Sequence, residues 1–377
     1  MWGWHRSLLL GAGENDPSGV MSMEVTMRVR RLASALAAAL TVSAVPLVGT
    51  ASAQASPAPL PPLRIAGSYV TGISSGGYMA TQLQVAYSST FKGAGIFSAG
   101  PYYCAQDSLV IALQACTANT VPTDLPALIS YTDRAAQSGL IDPTSNLAGQ
   151  PTWFFHGTQD TTVYGSVADD LAGFYQHYGT PLTYSSDVAA GHAWISPLGP
   201  NHCGITQAPF INDCGFDAER DMLTTMLGKV DKPNTRAPKG QVIPFSQDAY
   251  AAPPSAGSGD LTRTGAAAIG MGPTGYVYLP SSCADGKSCR LVVALHGCLQ
   301  TAGQIGTTFV DNAFLNQYAD SNRLVVLYPQ AQVDNTFGNP KGCWDWWGYL
   351  GPNDTNYATR SGPQMASVMN MVHALGG

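Results

Sequence analysis

Charge is what this sequence has least of. Of its 377 residues, 18 are Lys or Arg and 24 are Asp or Glu, 11% together, against roughly 25% in an average soluble protein. The cations form no basic block and the formal net charge is -6. This excludes nucleic-acid binding, which needs clustered Lys and Arg to displace counterions. Nor is the scarcity of charge a mark of disorder, which pairs high charge with low hydrophobicity; here 45% of residues are hydrophobic. Beyond residue 53 no apolar run is long enough to span a bilayer. There is no C-x-x-C and no Cys/His quartet of zinc-site spacing, and no internal repeat.

What is present begins with an export signal. Arg28, Arg30 and Arg31 precede an apolar, small-residue run from Leu32 to Val48, and Ala51-Ser52-Ala53 is an A-x-A cleavage site. Residues 1–53 therefore read as a secretory signal peptide, with Met21, Met23 or Met27 as alternative starts. A membrane anchor is the rival, but Pro46 interrupts the run and Pro-rich sequence follows it. Residues 54–62 read as a Pro/Ala linker and 63–377 as a single domain, secreted or periplasmic. All eight cysteines lie beyond residue 53, as suits an oxidising compartment. Neighbours in sequence are the expected disulfides: Cys104–Cys116, Cys203–Cys214, Cys283–Cys289 and Cys298–Cys343, although other connectivities are possible.

Strands are expected at 63–70, 94–98, 152–156, 182–188, 275–279, 290–295 and 324–328, with helices at 78–87, 166–178, 218–227, 308–320 and 363–375. The alternation means an α/β fold with a mainly parallel sheet and helices on both faces. Residues 101–150 read as an irregular excursion with some helix. The Pro-, Gly- and Ser-rich stretch 229–265 reads as a boundary or a surface crossing.

Gly72-Ile73-Ser74-Ser75-Gly76 is G-x-S-x-G between an expected strand and an expected helix, the context of a nucleophile elbow. Side chains two residues either side of the nucleophile would collide there. Ser74 is flanked by Gly72 and Gly76, whereas Ser75 would have Ile73, so Ser74 is the candidate nucleophile. A serine hydroxyl needs a base, and the base needs a carboxylate to hold its tautomer. In α/β-hydrolases the chain order is Ser, acid, His. Asp160 follows the buried strand TWFFH in a turn suited to the acid. Of the histidines available, His156 precedes Asp160, His177 lies on a helix and His202 abuts Cys203. His192, after Gly191 and before Ala193-Trp194, is the candidate base, with His202 as its substitute.

His296-Gly297-Cys298 follows the buried strand RLVVAL, where an H-G turn supplies one oxyanion amide. The Cys298 amide is expected in that role, with the Ser75 amide as the second donor. In the usual order this strand precedes the elbow; here it comes about 220 residues after it. Joining the two chain ends would restore the common order, so the sequence reads as a circularly permuted α/β-hydrolase.

The segments GISSGGYMATQLQVAYSSTFKGAGIFSAGPYYC, HGTQDTTV, ALHGCLQ, YPQA and GCWDWWGY, in that order, resemble extracellular poly(3-hydroxybutyrate) depolymerases with a permuted catalytic domain. The resemblance implies an α/β-hydrolase fold, Ser74–Asp160–His192 as the triad, the Ser75 and Cys298 amides as the oxyanion hole, and hydrolysis of short-chain polyhydroxyalkanoates. It implies no metal and no organic cofactor, a polyester polymer or oligomer as the partner, and a monomer in preference to an oligomer. Many bacterial members add a linker and a C-terminal polymer-binding domain. Neither is seen before Gly377, so adsorption is expected from the catalytic domain, or the substrate is amorphous polymer or oligomer.

An uncharged polyester offers methyl groups and carbonyls, which suit aromatic walls. Trp344, Trp346, Trp347 and Tyr349 are the candidates, Tyr102 and Tyr103 weaker ones, with core packing as the alternative for each. The competing functions are a feruloyl or acetyl-xylan esterase, a lipase, and a polymer-binding protein without catalysis.

Overall fold

A computed structural model describes residues 59–377, apart from 237, 255–257 and 352–353. The export segment read over 1–53, and residues 54–58 of the linker, lie outside the described residues. The strands are β1 Ile65–Ile73, β2 Phe91–Phe97, β3 Thr152–Phe155, β4 Leu182–Ser185, β5 Trp194–Ile195, β6 Asn201–His202, β7 Ile211–Asp213, β8 Gln241–Ser246, β9 Thr274–Leu279, β10 Cys289–Leu295 and β11 Leu324–Tyr328. The α-helices are α1 Ser75–Ala86, α2 Leu109–Gln114, α3 Leu125–Gln137, α4 Gly165–His177, α5 Ala218–Leu227, α6 Ser281–Ala284, α7 Ala302–Ile305, α8 Thr308–Asn312, α9 Leu315–Asn322 and α10 Pro363–Ala374.

Eight strands form one sheet in the order β4-β3-β2-β1-β10-β11-β9-β8. The β4-to-β11 portion is parallel, and β9 and β8 add antiparallel. Because side chains alternate across a strand, β10 feeds two cores. Leu291, Val293 and Leu295 pack with α1, α4 and α10 on one face. Val292 and Ala294 pack with α5, α8 and α9 on the other. This is the α/β-hydrolase arrangement, with β5, β7 and β6 as a small separate sheet.

Helix α1 is buried on every side. Its glutamines are consequently inside and need partners. Gln82 donates to the Asp345 carbonyl at 3.1 Å, and Gln84 accepts from the Tyr175 hydroxyl at 2.7 Å. Strand β8 is absent from the sequence expectation, which read its region as a boundary or crossing. Pro244 interrupts its pattern, yet the strand is an edge, where a missing N–H is tolerated.

The two ends of the described chain meet. α10 ends beside the entrance to β1, with the Leu63 amide donating to the Leu375 carbonyl at 3.1 Å. The helix that conventionally leads into the elbow strand thus reaches it without a covalent link, the geometry of a circular permutation. Disulfides join Cys104–Cys116, Cys203–Cys214, Cys283–Cys289 and Cys298–Cys343.

Candidate active site

The C-terminal ends of the parallel strands gather the candidate residues, as open α/β sheets do. β1 ends at Ile73 and α1 starts at Ser75, so a single residue makes the turn. That residue is Ser74, at φ 57° and ψ −124°, a conformation costly for a side-chain-bearing residue and characteristic of functional strain. The expected strand ending at 70 and helix starting at 78 leave seven residues between them where the structure uses one. Gly76 and Gly77 are helical, and their smallness serves close packing.

The two flanking glycines are small for different reasons. A Cβ on Gly72 would fall 2.2 Å from the Gly76 carbonyl oxygen, across the elbow as expected. One on Gly76 would instead meet the carbonyl oxygens of Leu295 and His296 at 2.3 Å. Gly76 thus lets α1 lie directly on the end of β10. Gly76→Ala is expected to destabilise the fold by about 1–3 kcal/mol, the cost of overpacking. Gly67→Ala, where the nearest atom is 3.7 Å away, should stay within about 0.5 kcal/mol. Urea unfolding of the two variants checks this.

Register places the H-G turn beside the serine. Gly72 pairs with Leu295 in the parallel β1–β10 ladder, so two residues further on Ser74 stands across from Gly297. A Cβ on Gly297 would lie 3.3 Å from the Ser74 Cβ. The Ser75 amide opens α1 and the Cys298 amide follows Gly297; among the described residues neither donates to a protein acceptor.

Asp160 and His192 sit in the loops after β3 and β4. His192 Nδ1 lies 2.7 Å from Asp160 Oδ2, and both side chains are nearly inaccessible. The other carboxylate oxygen accepts from the Thr162 amide at 2.8 Å and the Val163 amide at 3.0 Å. Burial alone would raise the Asp160 pKa. The His192 charge and hydrogen bond, with the two amides, outweigh it and hold the carboxyl below its ordinary value. The His192 amide donates to Thr206 Oγ1 at 2.9 Å, fixing the ring's position in the loop. No hydrogen bond joins Ser74 to His192, but both line one cavity; such bonds are often long without substrate.

The remaining histidines stand elsewhere. His156 is buried against the Val163 carbonyl at 2.8 Å, bracing the Asp160 loop. His177 and His202 are exposed at the end of α4 and on β6.

The cavity measures about 490 Å³ and is mainly apolar. Of the four aromatic candidates, Trp346 and Trp347 line it; Trp344 and Tyr349 do not. Trp344 is fully buried and donates its Nε1–H to the His296 carbonyl at 3.0 Å. Tyr349 is buried behind Trp347. Tyr102 is core, its hydroxyl donating to the Ala358 carbonyl, and Tyr103 stacks on Tyr131, outside the cavity. Sequence reasoning missed Tyr78, whose ring stacks on Trp346 at 4.1 Å, and α2, whose Leu109 and Leu113 line the cavity while remaining half exposed. The run Leu109-Val110-Ile111 inside the Cys104–Cys116 loop was the available signal for α2. Among the described residues no cluster of His, Cys, Asp or Glu could hold a metal ion, and no helix is long and apolar enough to cross a membrane.

Comparison with known proteins decides the lineage. A family model described as Esterase PHB depolymerase matches residues 274–376. A polyhydroxybutyrate depolymerase of Talaromyces funiculosus is 33% identical over 344 residues, covering 86% of this chain and 95% of that protein. The chain belongs to the polyhydroxybutyrate depolymerase family. A second family member, the poly(3-hydroxybutyrate) depolymerase of Delftia acidovorans, is 38% identical over 343 residues, 89% of this chain, which spans only 65% of that protein's length. Among solved structures, a PHB depolymerase from Penicillium funiculosum has a TM-score of 0.74 at 32% identity, covering 84% of this chain and 98% of that one. The same scores hold for a serine-to-alanine PHB depolymerase complexed with an R3HB trimer.

Proposed function

We propose that this chain is a secreted serine esterase that hydrolyses poly(3-hydroxybutyrate), or related short-chain polyhydroxyalkanoates, to oligomers and 3-hydroxy acids. One observation supports the reading: in a member of this family, Ser74, His192 and Cys298 line one apolar cavity, with Asp160 hydrogen-bonded behind His192 and Ser75 next to Ser74 at the start of α1. His192 Nε2 takes the Ser74 proton as Oγ attacks the ester carbonyl. Asp160 keeps the Nδ1–H tautomer and stabilises the imidazolium. The Ser75 and Cys298 amides receive the oxyanion. Collapse expels the alcohol end of the polymer, protonated by His192, and leaves an acyl group on Ser74. Water, deprotonated by His192, then releases the hydroxy acid. No metal or organic cofactor enters these steps.

Trp346 and Trp347 form an uncharged wall suited to methyl groups and ester carbonyls. The exposed Leu109, Val110 and Leu113 of α2 extend that apolar character to the surface, which favours a solid polyester over a feruloylated sugar. Residues 1–53 would direct export, the Pro/Ala linker 54–62 would follow, and 63–377 would form the catalytic domain.

Incubation of the purified protein with a poly(3-hydroxybutyrate) suspension should clear it and release 3-hydroxybutyrate and its oligomers, identified by mass spectrometry. Hydrolysis of feruloylated or acetylated xylo-oligosaccharides with no polymer clearing would replace this reading with the plant-ester one. Adsorption without product would replace it with a binding function.

A further inference from the structure

The turn that carries Trp346 and Trp347 to the cavity is tied from the inside by a carboxyl group. Asp345 precedes both rings and is only 2% exposed. Its amide donates to Gln364 Oε1 of α10 at 2.9 Å, and its carbonyl accepts from Gln82 Nε2 of α1 at 3.1 Å. Its side chain reaches across the turn, where Oδ1 accepts from the Gly348 amide at 2.9 Å and the Tyr349 amide at 3.0 Å. The two tryptophans therefore lie in a segment whose ends are both pinned to one residue.

The other oxygen, Asp345 Oδ2, is buried and receives no hydrogen bond from an amide, hydroxyl or cation among the described residues. It faces a second buried acid, Asp354, which is also 2% exposed. The remaining ionisable neighbours are Asp107, beside Asp354, and Tyr349 and Tyr357, beside Asp345. None of these is a cation. Among the described residues no Lys, Arg or His forms an ion pair with either carboxyl, and no group of His, Cys, Asp or Glu could hold a metal ion. Two facing carboxylates shut away from water and from cations cannot both ionise. One proton must stay between them. Asp345 Oδ1 takes two N–H groups as a carbonyl oxygen would, which leaves Oδ2 to carry the proton. Burial and then the Asp354 charge push the Asp345 carboxyl well above its ordinary range. Ser258 and the Leu350 backbone lie on the Asp354 side and favour charge there.

We infer that Asp345 is a positioning residue for substrate binding: its Oδ2 proton is held by Asp354, and the pair locks the turn that sets Trp346 and Trp347 in the cavity wall. What the wall binds rests on the serine-esterase reading; the proton does not. Trp346 stacks on Tyr78 at 4.1 Å and Trp347 packs on Tyr349 at 4.9 Å, so a loosened turn displaces both rings. Rings fixed beforehand lose less freedom when substrate arrives.

The first test is linkage. Asparagine is isosteric with the protonated acid, its Oδ1 accepting and its Nδ2 donating. Unfolded, Asp345 ionises near about pH 3.9. Folded, it keeps its proton above that value, so wild-type stability falls as pH rises, a term that Asp345→Asn lacks. In urea unfolding, Asp345→Asn should gain on the wild type by about tenfold in the unfolding equilibrium for each pH unit between about 5 and 7. A difference that does not change with pH means an ionised Asp345 and overturns the inference. Carbon NMR of aspartate-labelled wild type needs no variant: one buried carboxyl must still be protonated near pH 7, and a protein with every aspartate ionised overturns the inference. The second test is kinetic, on a soluble 3-hydroxybutyrate trimer. Asp345→Leu removes the bonds to both amides and to Asp354, and should raise KM at least about tenfold with kcat within about threefold. Asp345→Asn should recover at least about fivefold of that rise. A Leu variant with wild-type KM, a loss confined to kcat, or one that Asn does not relieve overturns the positioning role. Should Leu fail to fold, the Asn slope and the wild-type carboxyl signal still decide. A wild type that cleaves neither trimer nor polymer defeats the esterase reading, and the proton is then judged on unfolding and NMR alone.

Discussion

Ser74→Ala is expected to lower kcat for the 3-hydroxybutyrate trimer by about 10⁶-fold, the scale seen when a serine nucleophile is removed from its triad. Polymer clearing should cease with it. Thermal stability should stay within a few degrees of wild type, because the Ser74 side chain caps nothing at the start of α1 and Ala meets the same positive φ. The experiment pairs a product assay with thermal unfolding followed by circular dichroism. Clearing at the wild-type rate would refute the assignment of Ser74. An inactive variant that has also lost tens of degrees would report on folding alone, and the strained backbone rather than the hydroxyl would then be the important feature.

Asp160→Asn carries the second largest effect, a fall in kcat of about 10⁴-fold. The amide oxygen of Asn can still accept from Thr162 and Val163. Its NH₂ group would then face His192 Nδ1 and favour the tautomer protonated on Nε2, which cannot receive the Ser74 proton. The same variant tests linkage. The Asp160 carboxyl is held below its ordinary value in the fold, so ionisation of Asp160 contributes stability that is fully present above the unfolded pKa of about 3.9. That contribution disappears as pH falls through the lower folded value. Wild-type stability should therefore drop more steeply below about pH 4 than that of Asp160→Asn, measured by urea midpoints across acid pH. Equal slopes would mean that the pair confers no net stabilisation.

The elements legible in the sequence share a property: their signal is local. β10, β11 and β3 are continuous apolar runs and α10 repeats apolar residues at helical spacing, patterns that need nothing from the rest of the chain. G-x-S-x-G and H-G-C are short because the backbone geometry they serve is short. β8 was illegible because an edge strand with Pro244 lacks the alternation of a half-buried one. Trp344 and Tyr349 were grouped with Trp346 and Trp347 because adjacency in sequence does not reveal which ring faces a cavity. Tyr78 and α2 were missed because a cavity wall is drawn from segments far apart in the chain.

By itself the sequence determined the chemical vocabulary and the fold class: an elbow serine, an acid and an imidazole in hydrolase order, an H-G turn out of order, and eight cysteines. Each depends on a few neighbouring residues and on steric rules that act within a turn or a strand. Only the tertiary structure decided that Ser74 stands across from Gly297, that His192 rather than His202 meets Asp160, and that Gly76 is small for the sake of β10. Those facts depend on strand register and on loops brought together from separate segments of the chain, and packing sets them where no local pattern can.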